Sequence, residues 1–288
     1  MAAEAYGTEE SVLGGVGVKN FLAAEGFQLN RTEHLFQGGI VKGGDISQAF
    51  DIDDLKIEED VTHAWYKGTK PLQPWDGVTD PDYTGFVDGD TVNGEAKIID
   101  ENAKYTWVKA PRYDGEAMEV GPLSCLLVNY ARGNKKVQAE VGAFLERTGL
   151  PVAALFTTLG RTAARMLQTK LISDNAITIF NSLVENIKTD DSTYTKFEID
   201  NDKEYVGRFI GEVPRGTLSY WVSIKNGVIE NYQAVVPTTW NAGPMYGNGV
   251  IGPYEASLVG LKLEDPTKPL EVIRVIHSFD PCMSCYVH

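Results

Sequence analysis

Cysteine is scarce in this chain, with three residues in 288. That is too few for a disulfide-stapled scaffold, so a hydrophobic core must hold the fold together. Long apolar runs are missing too, and none approaches the ~20 residues a membrane-spanning helix needs. The first ten residues, Met1 to Glu10, are small, polar and acidic, unlike a signal peptide. An exported form is therefore expected to travel on another chain's signal. Basic residues are outnumbered, 26 against 40 acidic ones, for a formal charge of −14. This balance argues against nucleic acid or an anionic membrane surface as the main partner.

What is present is globular in character. Hydrophobic residues make up 43% and aromatic ones 10%, enough length and apolar content for one large domain or two. The expected class is α+β, a helix-rich core with a β-hairpin or sheet segment and a C-terminal tail buried at a metal site. Four interwoven regions are expected: a glycine-rich strand and loop region over 1–110, helices over 111–195, a β-hairpin region over 196–245, and helices with the tail over 246–288.

Within the first region, short apolar runs between glycines from Gly14 to Asp54 read as strands and turns. Residues 52–66 read as a short helix with an acidic first half, which suits the helix dipole. Residues 67–104, rich in Pro, Gly and Asp, read as one long irregular excursion. His34 reads as a surface or loop histidine, His63 as a packed one beside Trp65, and Cys125 as a buried thiol. Pro122 opens a helix through Ala131, another spans Lys135 to Leu150, and a long one runs from Pro151 to about Lys188. The apolar stripe of that long helix, from Leu155 to Ile179, is ordinary packing. Strand patterns begin near residue 204, and Asn226-Gly227 between two β-rich runs signals a type I′ hairpin. Two proline-opened helices follow, over 253–263 and 269–277.

The last nine residues concentrate the chain's soft ligands. Asp280-Pro281-Cys282-Met283-Ser284-Cys285-Tyr286-Val287-His288 places two of three cysteines and one of four histidines at i, i+3 and i+6. Cys282, Cys285 and His288 could be three ligands of a metal, although structural zinc takes four. A redox dithiol and two inert thiols are the alternatives that spacing leaves open.

This tail resembles the Asp-Pro-Cys-x-x-Cys-x-x-His terminus of nickel–iron hydrogenase large subunits. The likeness continues, in order, through Lys109–Gly115, Glu119–Leu123, Val213–Gly216, Asn231–Pro244 and Tyr254–Leu258. It implies a nickel–iron centre carrying CO and cyanide on iron, and reversible oxidation of H2. By position Cys282 would be a terminal nickel thiolate and the favoured proton acceptor when H2 is split into hydride and proton, and Cys285 a thiolate bridging nickel and iron. His288 and the backbone carbonyl of Ala234 would hold a Mg2+-type ion. Arg215 would hang over the open metal position with Asp280 as its carboxylate partner. Pro214 and Thr238 would surround the cyanide ligands.

Two departures qualify the likeness. The family's first Cys-x-x-Cys pair is absent, so the other two thiolates must come from an N-terminal half on another polypeptide or one missing for another reason. Pro244-Met245-Tyr246 stands where many relatives have Pro-Arg-Asp, which unsettles the charge pairing there. The resemblance also implies an iron–sulfur small subunit as electron acceptor, since no cysteines remain here for clusters. A periplasmic or membrane-associated place through that subunit follows, with the cytoplasm as the alternative. Ending on His288 is the form expected after removal of a C-terminal extension, or from a gene without one. The rival expectations are a non-catalytic assembly subunit and an H2 sensor.

Overall fold

The computed structural model describes residues 14–30, 32–91 and 94–286. Its elements run β1 (Phe21–Ala23), β2 (Gly26–Gln28), β3 (His34–Phe36), β4 (Gly39–Val41), β5 (Ile57–Asp60), β6 (Phe86–Thr91), β7 (Gly94–Ile99) and β8 (Ala110–Tyr113). Then follow α1 (Pro122–Ala131), α2 (Lys135–Thr148), α3 (Thr158–Ile187), β9 (Glu204–Val213), β10 (Gly216–Lys225) and β11 (Val228–Val235). Three helices close the chain: α4 (Pro237–Ala242), α5 (Pro253–Leu258) and α6 (Leu270–Ser278). The α+β class holds, with six helices and five small antiparallel sheets among the described residues.

Two cores lie on either side of the β1–β4 ribbon. Successive side chains of a strand point to opposite faces, so Phe21 and Val41 join Leu126, Val128 and Leu167 of the helices. Leu22 and Ile40 face the other way, toward Ile57, Met118, Trp221 and Trp240. The second core therefore glues the three-stranded sheet β9–β10–β11 and α4 onto the ribbon.

Local chemistry sets the helix ends. Pro122 opens α1, and the Asn134 side chain caps α2 by accepting from the Lys136 and Val137 N–H groups at 3.2 and 3.3 Å. The long helix starts later than the sequence suggests. Thr157 accepts from Gly160 N at 3.3 Å and caps α3, leaving Val152–Phe156 as a separate 3-10 turn. Its end at Ile187 agrees with the expectation, but Ile177, Phe180, Leu183 and Ile187 stand exposed on its second half.

Further expectations need correction. Residues 52–66 are not a helix but a 3-10 turn, Asp54–Lys56, followed by β5, which pairs with β8. The acidic residues that suggested a helix start serve distant groups instead. Glu59 lies 3.7 Å from the Lys109 ammonium with both side chains buried, and Asp60 accepts from Gly247 N at 3.1 Å. Residues 67–104 contain the β6–β7 hairpin and so are not irregular throughout. Helix α5 stops at Leu258 because Gly260 turns the chain at φ +74°, while α6 lies one residue beyond its expected start and end.

The hairpin, His63 and Cys125 follow their expectations, while His34 lies in a strand rather than a loop. Asn226 and Gly227 both have positive φ, 52° and 74°, as a type I′ turn requires. His63 is buried with Nδ1 2.7 Å from the Ala103 carbonyl, and His34 is half-buried in β3, 3.5 Å from Glu25. Cys125 is wholly buried, and burial pushes its thiol pKa up.

Candidate metal centre

The tail leaves α6 at Phe279 and turns at Asp280, whose φ of +57° is a left-handed conformation. Aspartate tolerates that region better than most residues. The turn brings Cys282 back toward α4, where its N–H donates to the Thr238 hydroxyl oxygen at 3.2 Å. Thr238 is buried in the first turn of that helix. A hydroxyl has one donor and two acceptor positions, so this bond leaves the Thr238 proton to point elsewhere.

Arg215 occupies the two-residue turn between β9 and β10, beside the exposed Pro214. Its Nε donates to the carbonyl oxygen of Asp280 at 3.2 Å and lies 3.3 Å from that residue's Oδ2. The turn is set by a close backbone contact. Gly216 has φ +127°, and a Cβ there would stand 2.6 Å from the Gly121 nitrogen at the start of α1. Two of the sequence blocks, Val213–Gly216 and Glu119–Leu123, thus meet at their glycines. A third joins them through Asn241, whose side chain accepts from Val120 N at 3.1 Å and donates to Val120 O at 2.9 Å.

The base of the tail rests on α3. Arg165 donates to the Ser278 carbonyl at 3.1 Å, and burial lowers its pKa while the Asp280 charge opposes that shift. Arg161 pairs with Glu119, Nε to Oε1 at 2.7 Å and Nη2 to Oε2 at 2.9 Å, with both side chains buried. Its Cζ lies 3.8 Å from the Phe279 ring centroid, and the Tyr254 ring is 4.8 Å from the same ring. Burial is the main cause that raises the Tyr254 pKa. In β9, Glu212 is buried beneath the site turn. Burial pushes its pKa up to about 8, against hydrogen bonds to Oε2 from Ala24 N at 3.1 Å and the Thr217 hydroxyl at 3.1 Å.

Of the residues singled out in the sequence, the structure brings together Arg215, Asp280, Cys282 and Thr238. Ala234 sits half-buried in β11 opposite Tyr220. His288 lies outside the described residues. The tail is half-buried at Pro281 and Cys282 and exposed from Met283 to Cys285, because the chain packs against it from one side. Arg161, Arg165, Glu119 and Asn241 were not singled out. Their roles depend on pairings more than a hundred residues apart along the chain or across separate elements, and no local spacing signals them.

The donor set fits half of a soft-metal site. Cys282 and Cys285 lie with Cα atoms 5.4 Å apart and their sulfurs joined as a disulfide, the oxidised counterpart of the two thiolates a metal would need. Among the described residues no group of three or more His, Cys, Asp or Glu side chains is placed to hold a metal. Two thiolates from one side form a chelating pair, and further ligands must come from elsewhere.

The family model of the nickel-dependent hydrogenase matches residues 1–288. The chain is 58% identical over 293 residues to the quinone-reactive Ni/Fe-hydrogenase large chain of Wolinella succinogenes, covering 100% of this chain and 51% of that one. It is 44% identical to the uptake hydrogenase large subunit of Rhizobium leguminosarum bv. viciae over 87% of this chain and 44% of that one. Its fold matches the reduced Ni-Fe-Se hydrogenase from D. vulgaris Hildenborough with TM-score 0.76 and 29% identity, over 97% of this chain and 55% of that one. The chain spans about half the length of the curated relatives it matches.

Proposed function

The chain belongs to the nickel-dependent hydrogenase family, and on that premise we propose that it is the C-terminal portion of a large subunit catalysing reversible oxidation of H2. The observation that carries this reading is the convergence of Arg215, Asp280 and Thr238 around the Cys282–Cys285 pair. When bound, the nickel–iron centre with its CO and cyanide ligands would supply the site where H2 is polarised and its electrons are collected. Cys282 and Cys285 would hold it as thiolates, Cys282 on nickel and Cys285 between the metals. His288 and the Ala234 carbonyl would hold a Mg2+-type ion behind them.

The chain's own groups handle protons and position. The Cys282 sulfur and the Arg215 guanidinium are the proton-holding groups beside the substrate, and Asp280 orients Arg215 from behind. Thr238 and Pro214 would line the cyanide pocket, Thr238 with a hydroxyl proton to donate. The other two thiolates would come from an N-terminal large-subunit half, and electrons would leave to an iron–sulfur small subunit. The exposed apolar residues of α3, Ile177 to Ile187, support a chain that is covered by further protein. No helix among the described residues is long and apolar enough to cross a membrane. Attachment to a membrane or export to the periplasm would run through the small subunit.

Metal analysis of the complex purified with its partner chains tests the reading. Nickel and iron together, with infrared bands from CO and cyanide, are expected. Cys282→Ser should lose nickel and activity together. Zinc alone, no such bands, or near-normal turnover by that variant would sink it.

A further inference from the structure

The geometry points to Arg161 as a positioning residue for the ligand-bearing tail, acting through Phe279; this rests on the reading that Cys282 and Cys285 hold metal. A planar guanidinium has edges for hydrogen bonds and a face for stacking, and Arg161 uses both. Its edges meet both carboxylate oxygens of Glu119, at 2.7 and 2.9 Å, and the Gly15 carbonyl at 2.7 Å. Its face lies on the Phe279 ring, 3.8 Å from the centroid.

These two contacts link the two sides of the site. Glu119 is a fixed point: its N–H donates to Asn20 O at 2.8 Å, and its carbonyl accepts from Leu22 N at 3.0 Å and Ser124 Oγ at 2.7 Å. Two residues on, Gly121 backs the turn that carries Arg215. Phe279 directly precedes Asp280 and the cysteines. Arg161 thus sets the offset between the arginine turn and the tail, where a displacement of about 1 Å is enough to cost up to 100-fold in rate.

A buried ion pair is weak evidence for stability, because apolar residues of similar volume often serve as well or better. Positional definition is what the pair adds here. Lysine could keep the charge but not the two-pronged bond and the stacked face together.

The test uses the complete complex with its partner chains. Phe279→Leu removes the stacked face and leaves the Arg161–Glu119 pair untouched. With nickel and iron content retained, its CO and cyanide bands should shift or broaden, and kcat should fall roughly 10- to 100-fold with little change in KM. Phe279→Tyr should restore both, and Arg161→Lys should reproduce the Phe279→Leu spectrum. Wild-type bands and kcat in Phe279→Leu, or a tyrosine variant no better than leucine, would overturn the proposal. So would Phe279→Leu and Arg161→Lys both losing metals only as they lose the fold, which marks the contact as purely structural. A wild-type complex lacking nickel or the bands would overturn the functional reading instead.

Discussion

Arg215 is tied to Asp280 twice by the same nitrogen, its Nε lying 3.2 Å from the carbonyl oxygen and 3.3 Å from Oδ2. Neither contact uses the two terminal nitrogens. Lysine has no counterpart of Nε and cannot be held this way. Arg215→Lys should therefore keep nickel and iron while turnover drops roughly 10²- to 10³-fold, the usual cost of one misplaced electrostatic donor. Metal content measured beside kcat separates this outcome from failed metal insertion.

Asp280 contributes charge and backbone shape, and two substitutions divide them. Asparagine tolerates the left-handed region that the φ of +57° demands, so Asp280→Asn should keep the fold and lose only the charge. A fall in kcat smaller than that of Arg215→Lys is expected, with an unchanged melting temperature. Alanine is poorly suited to that backbone, and Asp280→Ala should lower stability by about 1 kcal/mol or more as well. Equal melting temperatures for the two variants would refute the division.

Gly216→Ala attacks the other side of the clasp. The φ of +127° alone disfavours any side chain, and the new Cβ would meet the Gly121 nitrogen at 2.6 Å. About 1–3 kcal/mol should be lost to backbone strain, before the contact with α1 is counted. Denaturant unfolding measures the loss. A variant as stable as the wild type would show that the two glycines do not need their close approach.

Glu212 makes stability depend on pH. Its folded pKa of about 8 stands above the ordinary value of 4.5, because burial disfavours the charged form. Between those values the folded state keeps a proton that the unfolded chain has released. Stability from this group is thus full below the lower value and declines as pH rises toward about 8, by up to about 1.4 kcal/mol per pH unit. Glu212→Gln should remove that slope and be the more stable protein at pH 8. Urea unfolding of both forms at several pH values checks it, and parallel curves would contradict it.

The sequence made the helices legible because their signals are local. Pro122 marks the start of α1 within a turn, and Asn226-Gly227 marks a hairpin on its own. The ligand tail was legible for the same reason, since its cysteines fall within four residues. Strand β5 was not, because Glu58, Glu59 and Asp60 imitate a helix start until Tyr246, Lys109 and Gly247 arrive from far along the chain. The β6–β7 hairpin was not legible, because its strands lie among many Pro, Gly and Asp residues that read as irregular chain. Arg161 carried no sign at all. A guanidinium inside an apolar helix stripe gains meaning only when Glu119 and Phe279 are beside it.

The β9–β10–β11 sheet has two ends with opposite tolerance for added chain. At the Arg215 end, Val213 pairs with Gly216 across two residues, so one extra residue would shift the arginine off its carboxylate and slide Gly216 away from Gly121. At the far end, Lys225 to Val228 turn in solvent through Asn226-Gly227. A fluorophore or affinity peptide grafted there would report on assembly of the complex while the arginine end keeps its register.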